Sequence, residues 1–177
     1  MYRQWNKWLG GLFYRENTDG VTSDRVRAMP ITYRSAIADD AAACITLRTQ
    51  TRENAVTEAE LAAAGITRET WAAGIDAGLY PGVVAMDGDV LAGYCFAHRD
   101  TGEIVVLALL PAYEGLGVGK TLLGMVVEAL RTRGFARVFL GCATDPAVRS
   151  YGFYRHLGWQ STGTFNDAGD EVLEYLF

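Results

Sequence analysis

The sequence predicts an α/β (α+β) fold built on a single mixed, mostly antiparallel sheet of about seven strands flanked by about four helices. Three observations predict it. Residues 103–134 run as an apolar strand, a glycine turn and an amphipathic helix in immediate succession. Asp87-Gly88-Asp89 stands as a hairpin turn between two short strand-like segments. Strand-like and helix-like segments then follow in the order β-α-α-β-β-β-α-β-α-β-β, which one sheet with helices on both faces accommodates economically.

Residues 1–28 read unlike the rest, as an appended extension. Trp5, Trp8, Leu9, Leu12 and Phe13 form one helical stripe interrupted by Gly10 and Gly11, with a polar stretch behind it. Such a stripe requires a surface, and two glycines weaken an isolated helix by about 1 kcal/mol each. The reading favours protein contact, on its own domain or across a homodimer, over a membrane interface. The compact domain, residues 29–177, begins where Met29-Pro30 introduces the strand Ile31–Arg34. A helix follows from about Ala38, with Asp39 and Asp40 in its first turn and Arg48 and Arg52 near its end. A further helical insert opens with the capping box Thr57-Glu58-Ala59-Glu60, breaks at Gly65 and resumes through Trp71 to about Ala77.

Gly82–Met86 and Val90–Ala97 are the two arms of the hairpin. The central strand, residues 104–110, is apolar throughout and ends at Pro111, as a strand buried on both faces does. In the helix after the glycine turn, Val118, Leu122, Met125, Val126, Ala129 and Leu130 recur at helical spacing, and Gly134 lies past its end. Val138–Cys142 reads as a buried strand. Asp145-Pro146 reads as a helix start, with Asp as N-cap, and that helix stops at Gly158. Two closing strands, around Gln160 and at Glu171–Phe177, complete the chain.

Composition excludes several classes of function. With 177 residues, 50% hydrophobic and 21% charged, the chain suits one soluble globular domain. Its net charge of -5 argues against nucleic acid as a partner. No apolar run approaches the roughly 20 residues of a membrane span, and the N-terminus lacks a secretory signal, so a cytoplasmic location is expected. Cys44, Cys95 and Cys142 are far apart in apolar segments and read as reduced core thiols. With His98 and His156 the only histidines, no metal is expected.

The glycine turn, Glu114-Gly115-Leu116-Gly117-Val118-Gly119-Lys120, carries the chemistry. A helix start leaves backbone N–H groups unpaired at the positive end of the macrodipole, and glycines let a phosphate approach them closely. A P-loop would need glycine where Glu114 stands, and the dinucleotide fingerprint would need it at Lys120. The remaining spacing, G-x-G-x-G, resembles the acyl-CoA pyrophosphate loop, Q/R-x-x-G-x-G/A after a strand, of the GNAT superfamily of acetyl-CoA-dependent N-acetyltransferases. Gly117 and Gly119 stand at its two glycines, while Glu114 departs from the family at the Gln/Arg position and adds repulsion toward phosphate unless its side chain turns away. A second stretch, residues 149–159, is similar to the family's helix A-x-x-F-Y-x-x-x-G-F/W, with Asp145 about where many members carry Asn. The element order is also the family's, and the resemblance covers about residues 31–177.

The resemblance implies acetyl transfer from acetyl-CoA, as co-substrate, to a primary amine of a small molecule or peptide, directly in a ternary complex. It implies a cofactor site at Leu107, Ala108, Leu109, Gly115, Leu116, Gly117, Val118, Gly119 and Lys120. It also places Tyr154 near the cofactor sulfur, where a phenol of pKa about 10 can protonate the departing thiolate. Direct transfer needs a neutral amine, and an alkylamine is only about one part in a thousand neutral at pH 7, equivalent to roughly 4 kcal/mol. Glu103, at the start of the central strand, is the expected base, with His98, Asp100 and Glu53 as lesser candidates. The helical insert roofs the acceptor site in this family, which implies Arg52, Glu53, Asn54, Trp71 and Tyr80 without choosing an acceptor. The rival reading is a non-catalytic acyl-CoA-binding or regulatory module that keeps the glycine loop and has lost turnover.

Overall fold

Among the described residues seven strands form, as expected, but they divide into two sheets. The computed structural model describes residues 30–53 and 55–177; the N-terminal stripe, the domain boundary at Met29 and the acceptor candidate Asn54 lie outside them. Strands β1 (Thr32–Ser35), β2 (Gly82–Asp87), β3 (Val90–Ala97) and β4 (Ile104–Leu109) pair antiparallel in that order. Strands β5 (Arg137–Cys142), β6 (Gln160–Phe165) and β7 (Glu171–Leu176) form a second antiparallel sheet in the order β5-β7-β6.

Between β4 and β5 there is one parallel bridge, Glu103 with Phe139, where the Phe139 N–H donates to the Gly102 carbonyl at 3.2 Å. Beyond it the strands part. Each is already bonded along its other edge, β4 by β3 and β5 by β7, so separation exposes only the facing edges. The Leu110 N–H donates to Ala92 of β3. Alternation along an antiparallel ladder therefore turns the main-chain groups of Leu107 and Leu109 toward the open edge, and those of Ala108 toward β3.

Among the described residues the α-helices number five, because the insert forms two. Helix α1 (Ala41–Arg48) follows a 3-10 turn at Ala38–Asp40, where the Asp40 carboxylate takes both Arg34 guanidinium nitrogens at 2.7 Å and the Ile37 N–H at 2.9 Å. The helix stops at Arg48, which leaves Arg52 in the following loop. Helix α2 (Glu58–Ala63) starts on the expected capping box, with the Glu60 N–H donating to Thr57 Oγ1 at 3.2 Å and the Thr57 N–H to Glu60 Oε2 at 2.8 Å. After the break at Gly65, Thr67 caps α3 (Arg68–Asp76) afresh.

Helix α4 (Val118–Thr132) buries Val118, Leu122, Leu123, Val126 and Leu130, whereas Met125 is exposed. Fully burying each such side chain is worth about 1.5–3 kcal/mol. Helix α5 (Arg149–His156) begins later than Asp145-Pro146 suggests, because Asp145 Oδ1 accepts the Ala147 N–H at 2.8 Å and closes a turn instead.

The core has two layers. One lies between α1–α3 and the first sheet, around Trp71, Val84, Phe96 and Val105. The other packs α4 against both sheets through Leu122, Leu130, Val138, Leu140 and Leu173. Cys44, Cys95 and Cys142 are buried and free of disulfides, and burial pushes all three thiols up.

Candidate active site

The gap between β4 and β5 opens into a cleft of about 380 Å³. Residues 104–109 of β4 form one wall, Leu140, Gly141 and Ala143 the other. The turn into α4 closes one end, and Arg48, the last residue of α1, forms the roof with Thr51, Arg52 and Glu53 of the loop that follows. The size is that of an ordinary small-molecule site.

At the glycine turn, Gly117 is the N-cap of α4 with φ +81°, a left-handed conformation that only glycine adopts without strain. The Thr121 N–H closes the first helical turn on the Gly117 carbonyl at 3.0 Å, so the N–H groups of Val118, Gly119 and Lys120 precede any helical acceptor. A side chain added at Gly115 or Gly117 would meet no protein atom within 4 Å; the surface above them is open. Gly119 is different, since a Cβ there would come to 3.3 Å from Leu109 and 3.7 Å from the Phe153 ring. Gly115, Gly117, Gly119 and Lys120 line the cleft, Leu116 points to solvent, and Val118 is buried in the core.

Glu114, the acid at the position where a cation or amide would suit a phosphate, is held between two arginines. Arg52 Nε donates to Glu114 Oε2 at 2.9 Å and Arg149 Nη1 donates to the same oxygen. Two positive charges and one negative leave the trio with a net charge of one positive, which is what an arginine at 114 would bring alone. A loop of open glycines, a helix start and a net positive trio fit a pyrophosphate, and the open edge of β4 fits an amide-bearing arm.

Tyr154 lines the cleft from α5, its ring edge-on to Phe153 at 5.1 Å and to Trp159 at 5.9 Å. Its hydroxyl takes no hydrogen-bond partner among the described residues, and burial drives its pKa upward, so it stays a neutral proton donor. The structure therefore brings together Tyr154, Leu107, Ala108, Leu109, the glycine turn and Glu53. It does not bring Glu103 to the cleft wall: that residue is 8% exposed, just before β4, with burial pushing its carboxyl up. His98 and Asp100 also stand off the cleft; the Asp100 N–H donates to His98 Nδ1 at 3.2 Å, and burial lowers the imidazole pKa. Of the acceptor candidates, Trp71 lines a small recess beneath α1–α3, and Tyr80 stacks on it at 4.8 Å without reaching the cleft.

Glu53 has a structural partner, since it accepts the Arg149 N–H at 3.0 Å. Sequence reading missed Arg48 and Arg149 as cleft residues. Arg149 opens the second motif and could have been found there; Arg48 carries no sequence signal beyond the end of a helix. Among the described residues no cluster of His, Cys, Asp or Glu could hold a metal ion, and no helix is long and apolar enough to cross a membrane.

Fold and cleft together define the class of N-acetyltransferase-like proteins. Several solved structures share the fold: a PaiA N-acetyltransferase from Thermoplasma acidophilum in complex with coenzyme A, at TM-score 0.71 and 20% identity, covers 84% of this chain and 100% of its own. A ribosomal-protein-alanine N-acetyltransferase from Brucella melitensis matches at TM-score 0.66 and 19% identity, over 82% and 99% of the two chains. A Salmonella typhimurium protein solved with its cofactor acetyl-CoA matches at 0.63 and 18%, over 84% and 94%. The family model described as "Acetyltransferase (GNAT) family" matches residues 39–159. The chain belongs to the acetyltransferase (GNAT) family. It is also 39% identical over 67 residues to an uncharacterized N-acetyltransferase, ycf52-like, of Prochlorococcus marinus; the match spans 34% of this chain and 35% of that protein.

Proposed function

We propose that this protein transfers an acetyl group from acetyl-CoA to a primary amine, directly and within a ternary complex. The observation that carries the reading is the shared cleft: the glycine turn that fits a pyrophosphate, β4 with its open edge and Tyr154 all line one space. Acetyl-CoA supplies an activated thioester. The amine nitrogen forms the new bond to the acetyl carbon, the carbon–sulfur bond breaks, and the proton lost by nitrogen replaces the one that the sulfur acquires.

The chain's own residues assist at both ends. Leu107 and Leu109 present N–H groups from the open strand edge, one of which is positioned to polarise the thioester oxygen. Tyr154 donates its proton to the sulfur and, its pKa raised by desolvation, is not ionised beforehand. Glu103 stands behind the wall and takes the ammonium proton through water; its raised pKa brings it closer to a useful base.

The reading is tested by acetyl-CoA turnover across an amine panel, with free thiol as readout. Amine-dependent thiol release with intersecting initial-rate lines is expected. Parallel lines would indicate an acetyl-enzyme and remove the ternary complex. Acetyl-CoA binding without amine-dependent release would favour the non-catalytic acyl-CoA module.

A further inference from the structure

Arg48 is a buried cation with no ion-pair partner among the described residues. It closes α1, is 8% exposed, and the one hydrogen bond of its side chain among the described residues is a long one, 3.5 Å to Thr51 Oγ1. The side chain borders two spaces: the cleft, and an apolar recess of about 40 Å³ lined by Cys44, Ile45, Val56, Leu61, Trp71 and Tyr94. The cleft's carboxylates are already engaged, Glu53 by the Arg149 N–H and Glu114 by Arg52 and Arg149. Burial works against the Arg48 charge, but a guanidinium does not shed its proton at ordinary pH. An unpaired charge is costly to bury, and its unused donors form a planar fork that matches a carboxylate.

We propose that Arg48 anchors a carboxylate on the amine acceptor, so that the acceptor is a small amino acid or similar carboxylate-bearing amine whose short aliphatic body enters the recess. This rests on the acyl-transfer reading. A carboxylate could also arrive on the acyl donor. The recess favours the acceptor, because it lies beneath α1–α3, away from the glycine turn and α4 that fit the donor.

The test is calorimetry on the full chain in the presence of coenzyme A, comparing leucine with leucinamide. The wild type is expected to bind leucine about tenfold or more tightly than its amide. Arg48→Met, apolar and close in length to the aliphatic stem of arginine, loses that preference while coenzyme A affinity stays within about twofold; Arg48→Lys keeps part of it. No leucine binding, equal affinities in the wild type, or a preference that survives in folded Arg48→Met overturns the proposal. A second arm compares succinyl-CoA with acetyl-CoA: a succinyl preference that Arg48→Met abolishes moves the site to the donor and overturns the acceptor assignment. Coenzyme A affinity is read separately, so its absence strikes the acyl-transfer reading while the leucine pair still judges Arg48.

Discussion

The carboxylate of Glu53, in the loop after α1, accepts the main-chain N–H of Arg149 at the first residue of α5, 3.0 Å away and 96 positions along the chain. Helix α5 has no side-chain cap of its own, so a residue from a distant element supplies the acceptor. Glu53→Ala is expected to lower stability by about 1 kcal/mol, the usual worth of a cap, and Glu53→Gln by less, since an amide oxygen still accepts. Denaturant unfolding checks both. If neither variant changes stability and both raise KM for the amine, Glu53 serves the acceptor alone.

Gly117→Asp fills the phosphate approach with a carboxylate and should abolish acetyl-CoA binding. Its left-handed φ makes any side chain somewhat strained, so Gly117→Asn, of the same size but neutral and tolerant of that conformation, is the control. Calorimetry is expected to show Asn weakened and Asp lost. Unchanged affinity in folded Gly117→Asp would remove the phosphate site from this turn.

Tyr154→Phe keeps the ring and its contacts with Phe153 and Trp159 while deleting the proton donor. The rate should fall by about 10²-fold, at the lower end of what a positioned acid contributes, with acetyl-CoA affinity nearly kept. Turnover within about twofold of wild type would make Tyr154 a packing residue.

For Glu103 two measurements separate base from burial. As the proton acceptor, Glu103→Gln lowers the rate most at low pH, where an unassisted amine is least often neutral; parallel pH–rate profiles would leave it without that role. Burial raises the Glu103 pKa in the folded state, so its contribution to stability is full below the unfolded pKa of about 4.3 and is lost as pH rises through the raised folded value. Glu103→Gln should therefore raise the melting temperature at pH 7 relative to wild type, and the gain should shrink toward pH 4. An equal effect at both pH values contradicts the burial account.

The parts of this protein legible in sequence are those carried by consecutive residues. The apolar run 104–110, the glycine turn and the helical spacing of apolar residues in α4 are local patterns, and the structure builds a strand, a turn and a helix where they lie, although Met125 of that stripe is exposed. The capping box at Thr57 is equally local. What escaped depends on partners far apart in the chain. The clasp of Glu114 joins residues 52, 114 and 149, and no periodicity encodes it. The division into two sheets is decided by which strand edge finds a neighbour, a property that strand spacing does not carry. Asp145 misled because its carboxylate closes a turn with Ala147, although its type and its following proline suit a helix start.

The single bridge between Glu103 and Phe139 also makes the protein a peg sprung at one end. Past that pivot the two jaws share no ladder among the described residues; α4 lies behind both, with Leu122 and Leu130 in one buried cluster with Ile104 of β4 and Val138 and Leu140 of β5. Shaving volume from Leu122 or Leu130 would alter the gape of the slot before it loosened either sheet, so residues with no view of the ligand hold the gauge of the opening into which it slides.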